Sequence, residues 1–285
     1  MPSEPLQQAL TPQWAAPARV GALMSTRRGG VSMPPFDSLN LGLGSGDAPA
    51  AVASNRARFA AALGAQPFWL RQVHGATVVE ASRAGLGLPA PHADASFTTE
   101  PGVACTVLVA DCLPVLFAAA NGRAVAAAHA GWRGLAAGVL QATLERVCAA
   151  AGCAPVEVAV WLGACIGPRQ FEVGADVLAA FAPLSDVCSQ ADDIRRPSTG
   201  RNEQSGKATL AQENLAAQFK PCPRADGSMR WLADLPGLAR RVLRQAGVTD
   251  VASLDACTVE QPGTYFSYRR DGASGRMAAA VWLQV

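Results

Sequence analysis

Apolar residues in this chain come in short dense runs, parted by glycine, proline and polar clusters, with two distinct periods. Val52, Arg56, Phe59 and Leu63 recur at helical spacing, which predicts a helix from Val52 to Leu63. From Phe68 the pattern becomes strand-like. Phe68–Val73 and Thr77–Glu80 read as strands, followed by a Gly/Pro loop over residues 85–91. Cys105–Ala110, Val115–Ala119 and Ala124–Ala128 read as three short apolar strands, separated by Asp111-Cys112-Leu113-Pro114 and by Asn121-Gly122. An Asn-Gly pair between apolar runs is a hairpin signal, because both residues tolerate the positive φ of tight hairpin turns.

Helical spacing returns at Leu135, Val139, Leu140, Leu144 and Val147, predicting a helix to about Ala151 with Gly152 as its stop. Val156–Leu162 predicts a strand and Gly174–Phe181 a shorter helix. Asp234 reads as the N-cap of a helix over 235–246, with Pro236 tolerated in the first turn. Val251–Ala256 and Met277–Leu283 complete the strands. Residues 1–18, rich in Pro and Gln, read as a loose or edge segment, and residues 19–285 as a single catalytic domain. The stretch 185–230 is rich in Ser, Asp, Arg, Gln and Pro, and reads as a partly mobile insertion. Strands occur both in hairpin pairs and between helices. That mixture predicts an α+β fold, with mixed β-sheets packed in a sandwich and helices on its flanks.

Half of the 285 residues are apolar and 16% are charged, so a full core can be buried. The net charge of +2 gives no strong pull toward nucleic acid or an anionic membrane. Eight cysteines form no CxxC pair, the first residues lack the basic start and apolar core of a signal peptide, and no apolar run approaches the ~18–20 residues that span a bilayer. A cytoplasmic protein with mostly free thiols is the expectation.

Only three histidines occur. His74 lies in Gln72-Val73-His74-Gly75 and His129 in Ala128-His129-Ala130-Gly131-Trp132-Arg133-Gly134, with Cys112 between them. Each sits where a β-type run enters a turn. Two imidazoles and a thiolate can make a three-ligand zinc site with an open fourth position. The same residues can make a Cys/His nucleophilic pair, with Cys112 attacking and His129 or His74 as base. The bland alternative is a satisfied core histidine in an alanine-rich strand. Similarly, Trp132 reads first as packing, Arg269-Arg270-Asp271-Gly272 as a charged turn, Arg276 as solvating the next strand, and His92 as a surface residue. Gly29-Gly30 and Gly42-x-Gly44-x-Gly46 lack the Lys-Ser/Thr of a phosphate loop and read as turns.

Five segments together carry a resemblance. They are Thr26–Ser32 with Ser38–Gly42, Gln72–Gly75, Ala110–Val115, Ala128–Gly134, and Tyr265–Asp271 with Gly275–Met277. In order and spacing they resemble the YfiH-like family, also called the laccase-domain or polyphenol-oxidase family, described as purine nucleoside phosphorylases. Ile166–Gly174 is similar to its proteobacterial form. The resemblance implies a YfiH-like, cysteine-hydrolase-like fold and zinc held at His74, Cys112 and His129, with copper implied by the older label. It implies phosphorolysis of adenosine, inosine, guanosine and methylthioadenosine, adenosine deamination, and a further family role in removing L-serine from a peptidoglycan precursor. The partners so implied are a small nucleoside and phosphate, with no nucleic acid or membrane, and a monomer or small homo-oligomer.

Those reactions need more than the metal. Zinc can bring the pKa of a water toward ~7 for attack on adenine C6, with a carboxylate as proton shuttle. No His-x-Glu motif is present, so Asp111 and Asp94 are the candidates, and Asp111 reads equally well as a turn cap. Cys112, Asp111 and His129 make the candidate catalytic set. Phosphate needs cations, and Arg27, Arg28, Arg71 and Arg133, each in a Gly- or His-containing turn, are available. Multicopper oxidases use many imidazoles, and three histidines are too few for one.

Overall fold

The computed structural model describes Leu6, residues 8–182 and residues 215–285. A four-stranded sheet is ordered β1 (Val20–Met24), β13 (Met277–Leu283), β5 (Val103–Val109) and β2 (Gln66–Phe68). It is antiparallel except for the parallel β5–β2 pair. A six-stranded sheet is ordered β12 (Asp250–Ser253), β8 (Val158–Leu162), β6 (Leu113–Ala119), β7 (Val125–Ala130), β4 (Ala95–Thr98) and β3 (Val78–Glu80). Its outer pairs are parallel and its inner pairs antiparallel. A small third sheet holds β10 (Phe219–Pro221), β11 (Trp231–Ala233) and β9 (Glu172–Val173).

The two larger sheets face each other. Val103, Cys105 and Val107 of β5 and Ala279 and Val281 of β13 share one core with Leu116 of β6 and Ala127 of β7. Alternate residues, Val115, Phe117 and Ala128, point the other way, against Leu140, Leu144 and Val147 of α3 (Val139–Ala151) and Leu238 and Val242 of α5 (Leu235–Gln245). The far face of the four-stranded sheet, with Ala104, Ala278 and Ala280, is covered by Phe59 and Leu63 of α1 (Pro49–Leu63). The result is four layers, helix on sheet on sheet on helix. Strands buried on both faces need apolar residues at every position, which is why these runs do not alternate.

Two expectations are corrected. The strand expected over Phe68–Val73 ends at Phe68. Beyond it the Gln72 side chain takes the neighbouring strand's place, its Oε1 accepting from Leu108 N (2.7 Å) and its Nε2 donating to Leu108 O (2.8 Å). The helix expected from Leu135 is two helices, α2 (Trp132–Ala136) and α3, parted at Gly138 with φ +89°. Of the stretch read as an insertion, residues 185–214 lie outside the described residues, while 215–221 form a turn and β10. Asn121-Gly122 closes the β6–β7 hairpin, with Gly122 at φ +66°. Of the first segment, Leu10 bridges Met24, and Leu10 and Trp14 pack on the central core. No helix among the described residues is long and apolar enough to cross a membrane.

Candidate metal centre

His74, Cys112 and His129 come together, with one donor atom from each lying within 4.8 Å of the others. Strand register does much of this. Leu113 pairs with Ala130 and Pro114 with His129, so Cys112 sits just past the end of the β6–β7 ladder, opposite Gly131. Cys112 belongs to the short link by which the chain leaves β5 in one sheet and enters β6 in the other. Asp111, ahead of it, turns that corner at φ +90°. His74 lies in the β2–β3 connection, also left-handed at φ +61°. The rings of His74 and His129 meet edge to face, 4.8 Å between centroids, and His74 Nε2 is 3.9 Å from Cys112 Sγ.

Asp94 organises both histidines. It is fully buried, and its carboxylate accepts from the backbone N–H groups of Val73 (3.2 Å), His74 (2.9 Å) and Gly75 (2.7 Å). Its Oδ1 also lies 2.9 Å from His129 Nδ1, which leaves Nε2 of that ring for the cluster. A carboxylate behind a ligating imidazole fixes ring orientation and tautomer. Burial works to raise the Asp94 pKa, yet its bonds to His129 and to the loop outweigh it and lower the value. Burial also works to raise the Cys112 pKa, and the charge and hydrogen bonding of His129, with His74, outweigh it and pull the thiol down. In the same way His129 is raised, because the Cys112 thiolate and Asp94 outweigh its burial. A thiolate is thereby ready at neutral pH, as metal ligation requires.

The cluster opens into a cavity of about 1090 Å³. Asp111 lines it, though both its oxygens are engaged, accepting from Thr258 Oγ1 (2.6 Å) and Arg269 N (2.7 Å). Arg71 and Arg133 also line it, and no described acceptor bonds either guanidinium. Arg27 and Arg28 do not line it. Arg27 holds Asp37 and Pro262 O, and Arg28 holds Gly263 O and Gln8, so both brace a loop pair elsewhere. Trp132 is half-buried on the wall, and His92 is exposed.

Three further arginines on the wall, Arg56, Arg269 and Arg276, were not among the sequence candidates for phosphate. Four of the five cavity arginines lie over cavity aromatics: Arg56 on Trp69 (4.0 Å), Arg133 on Trp132 (4.3 Å), Arg269 on Phe171 (5.5 Å) and Arg276 on Tyr268 (5.8 Å). A signal for Arg56 was present, since an arginine stood on the apolar stripe of a helix.

Residues 21–216 and 197–284 match the family described as multi-copper polyphenol oxidoreductase laccase. A Pseudomonas aeruginosa protein named as a purine nucleoside phosphorylase is 45% identical over 275 residues, covering 96% of this chain and 98% of its own. Escherichia coli YfiH, named likewise, is 42% identical over 280 residues, covering 98% and 100%. The crystal structure of a Neisseria meningitidis protein superposes with a TM-score of 0.80 at 42% identity, covering 98% of this chain and 100% of that one. YlmD from Geobacillus stearothermophilus gives 0.76 at 28%, covering 94% and 93%. With relatives this similar over nearly the whole length, and the His-Cys-His cluster assembled where its motifs predict, the chain belongs to the YfiH-like, laccase-domain family.

Proposed function

We propose that the chain is a zinc-dependent purine nucleoside phosphorylase acting on adenosine, inosine, guanosine and methylthioadenosine, with adenosine deamination as a second activity of the same site. The observation that carries this reading is the cluster of His74, Cys112 and His129 opening into a cavity walled by arginines and aromatic faces. The curated relatives named as purine nucleoside phosphorylases support it.

Two imidazoles and a thiolate within 4.8 Å of one another are a donor set that fits zinc, and His74, Cys112 and His129 would hold it. Bound there, zinc would supply Lewis acidity and would lower the pKa of water. Copper is the poorer fit, because a multicopper set needs many more imidazoles than this chain has. Arg71 and Arg133, whose guanidinium groups meet no described hydrogen-bond acceptor, hold phosphate against the ribose. A phosphate oxygen bonds to C1′ as the bond from C1′ to the purine nitrogen breaks, with the electron pair leaving on the purine. Trp132 and Tyr268 offer apolar faces for the base. In deamination Asp111 is the proton shuttle, being the one carboxylate among the described residues on the cavity wall. The setting is the cytoplasm, which suits the seven described cysteines, all free thiols.

Purified protein incubated with adenosine, with and without phosphate, tests the proposal by chromatography of the bases. Adenine should form only when phosphate is present, while inosine forms without it. Adenine release that ignores phosphate, or no release at all, overturns the phosphorylase reading.

A second reading has its own observation. Asp94 orients His129, and His129 stands beside Cys112, which is also the order of a cysteine-hydrolase triad. In that reading Cys112 attacks an amide carbonyl and no metal is needed.

A further inference from the structure

The described cavity wall carries five arginines against a single carboxylate, Asp111. Phosphorolysis brings one orthophosphate and a neutral nucleoside, which Arg71 and Arg133 already serve. Of the other three, Arg269 spends its guanidinium on Gln170 O and Glu172 O, whereas Arg56 and Arg276 are built into the protein together. Arg56 Nε donates to Leu41 O (2.9 Å). Arg276 N donates to Asn40 Oδ1 (2.9 Å), and Leu41 N donates back to Arg276 O (3.0 Å). Both side chains thus flank the same short segment, Asn40 to Gly42, and both reach the cavity there. Gly42 is needed for that approach, since a Cβ on it would stand 2.6 Å from Arg276 Cγ.

Neither guanidinium has a carboxylate partner among the described residues. The two terminal nitrogens of Arg56 donate to no described acceptor, while Arg276 spends Nη1 on Ser274 O and Gly275 O and leaves Nη2 unengaged. Each is held in place, Arg56 over the Trp69 ring and Arg276 near Tyr268. Burial pulls the Arg56 pKa down to about 10, and it lowers that of Arg276 against the opposing charges of Cys112 and Asp111. A half-buried, pre-positioned guanidinium without a paired anion is costly unless a ligand brings one. The cavity also has room, because about 1090 Å³ exceeds the roughly 300–1,000 Å³ that holds a drug-sized ligand.

We infer that Arg56 and Arg276 form a second anion subsite, separate from that of the phosphate co-substrate, which takes the phosphate of a purine nucleoside 5′-phosphate. The inference rests on the nucleoside reading of the cavity and extends its substrate class from nucleosides to nucleotides. Two guanidiniums facing one phosphate monoester give paired, charge-assisted hydrogen bonds.

Calorimetric titration of the zinc-loaded protein with AMP and with adenosine, in phosphate-free buffer and again in saturating inorganic phosphate, tests it. AMP should bind at least tenfold more tightly than adenosine and keep that advantage in saturating phosphate. In Arg56→Gln the advantage should shrink toward one, and in Arg56→Lys most of it should return. An advantage that phosphate abolishes means a single anion site and overturns the inference, as does equal binding of AMP and adenosine. The wild-type competition decides the matter even if Arg56→Gln does not fold. Adenosine turnover measured on the same sample keeps the two readings apart. A protein that binds AMP tenfold better in phosphate, yet releases no adenine, retains this subsite and loses the phosphorylase reading.

Discussion

Gly131 shows how tightly the centre is fitted. It follows β7 directly opposite Cys112, and a Cβ built on it would lie 2.9 Å from Cys112 Sγ and 3.1 Å from His74 Cδ2. Its φ of −64° suits any residue, so the constraint is space and not backbone strain. Gly131→Ala should therefore push the thiolate and the His74 ring apart and weaken zinc at least tenfold in competition with a chelating dye. The metal-free variant should melt within a few degrees of the metal-free parent. Unchanged zinc affinity would mean that the cluster does not close as described. At this scale the cluster was legible because histidine is scarce and each candidate stood at the end of an apolar run. Asp94 was not. As a sequence position it looked like a free shuttle, whereas its burial and its three backbone donors from residues 73–75 exist only after folding. Arg27 and Arg28 misled for the converse reason: their Gly-rich turn folds back on Pro262 and Gly263 instead of facing the cavity.

Among the elements, those with strong periodicity were legible and their ends were not. Nothing in the spacing of Leu135, Val139 and Leu144 marks a break, yet Gly138 takes φ +89° and starts α3 afresh. Likewise an apolar run continuing past Phe68 looked like strand, because a side chain standing in for a backbone, as Gln72 does, leaves no periodic trace. Caps are chemically explicit and fared better. Asp234 accepts from Gly237 N (2.9 Å) at the start of α5, and its own N–H bonds Gln218 O, tying the helix to the turn before β10. Removing an N-cap side chain costs about 1 kcal/mol. Asp234→Ala should lower the unfolding free energy by about that amount in urea titration with an unchanged slope. A smaller or absent loss would show the cap bond to be replaceable by water.

For the whole molecule, the mixture of hairpins and strand–helix alternation was enough to expect packed mixed sheets with flanking helices. Strand pairing was harder to read, since strands covered on both faces carry no alternation to tell one sheet from the other. That matters for function because the centre lies where the sheets meet. His74 comes from the connection leaving the four-stranded sheet, Cys112 from the link between sheets, and His129 from the end of β7. A metal bound to all three joins both sheets, and it binds the folded chain far better than the unfolded one. Zinc at one hundred times its dissociation constant should then add about 2.7 kcal/mol of stability, read as a rise in melting temperature that grows with zinc concentration. Thiol chemistry on the same samples separates ligand from nucleophile. A thiolate tied to zinc should alkylate slowly until a chelator strips the metal, and then quickly, because His129 keeps Cys112 in its thiolate form. Cys105 is an internal control, as burial pushes its pKa up to about 12 and it should stay unmodified in either state. Activity should vanish with the metal and return with added zinc. Full turnover in protein shown to contain no metal, with rapid loss on alkylation of Cys112, would remove zinc from the chemistry and leave the Asp94–His129–Cys112 order as that of a hydrolase.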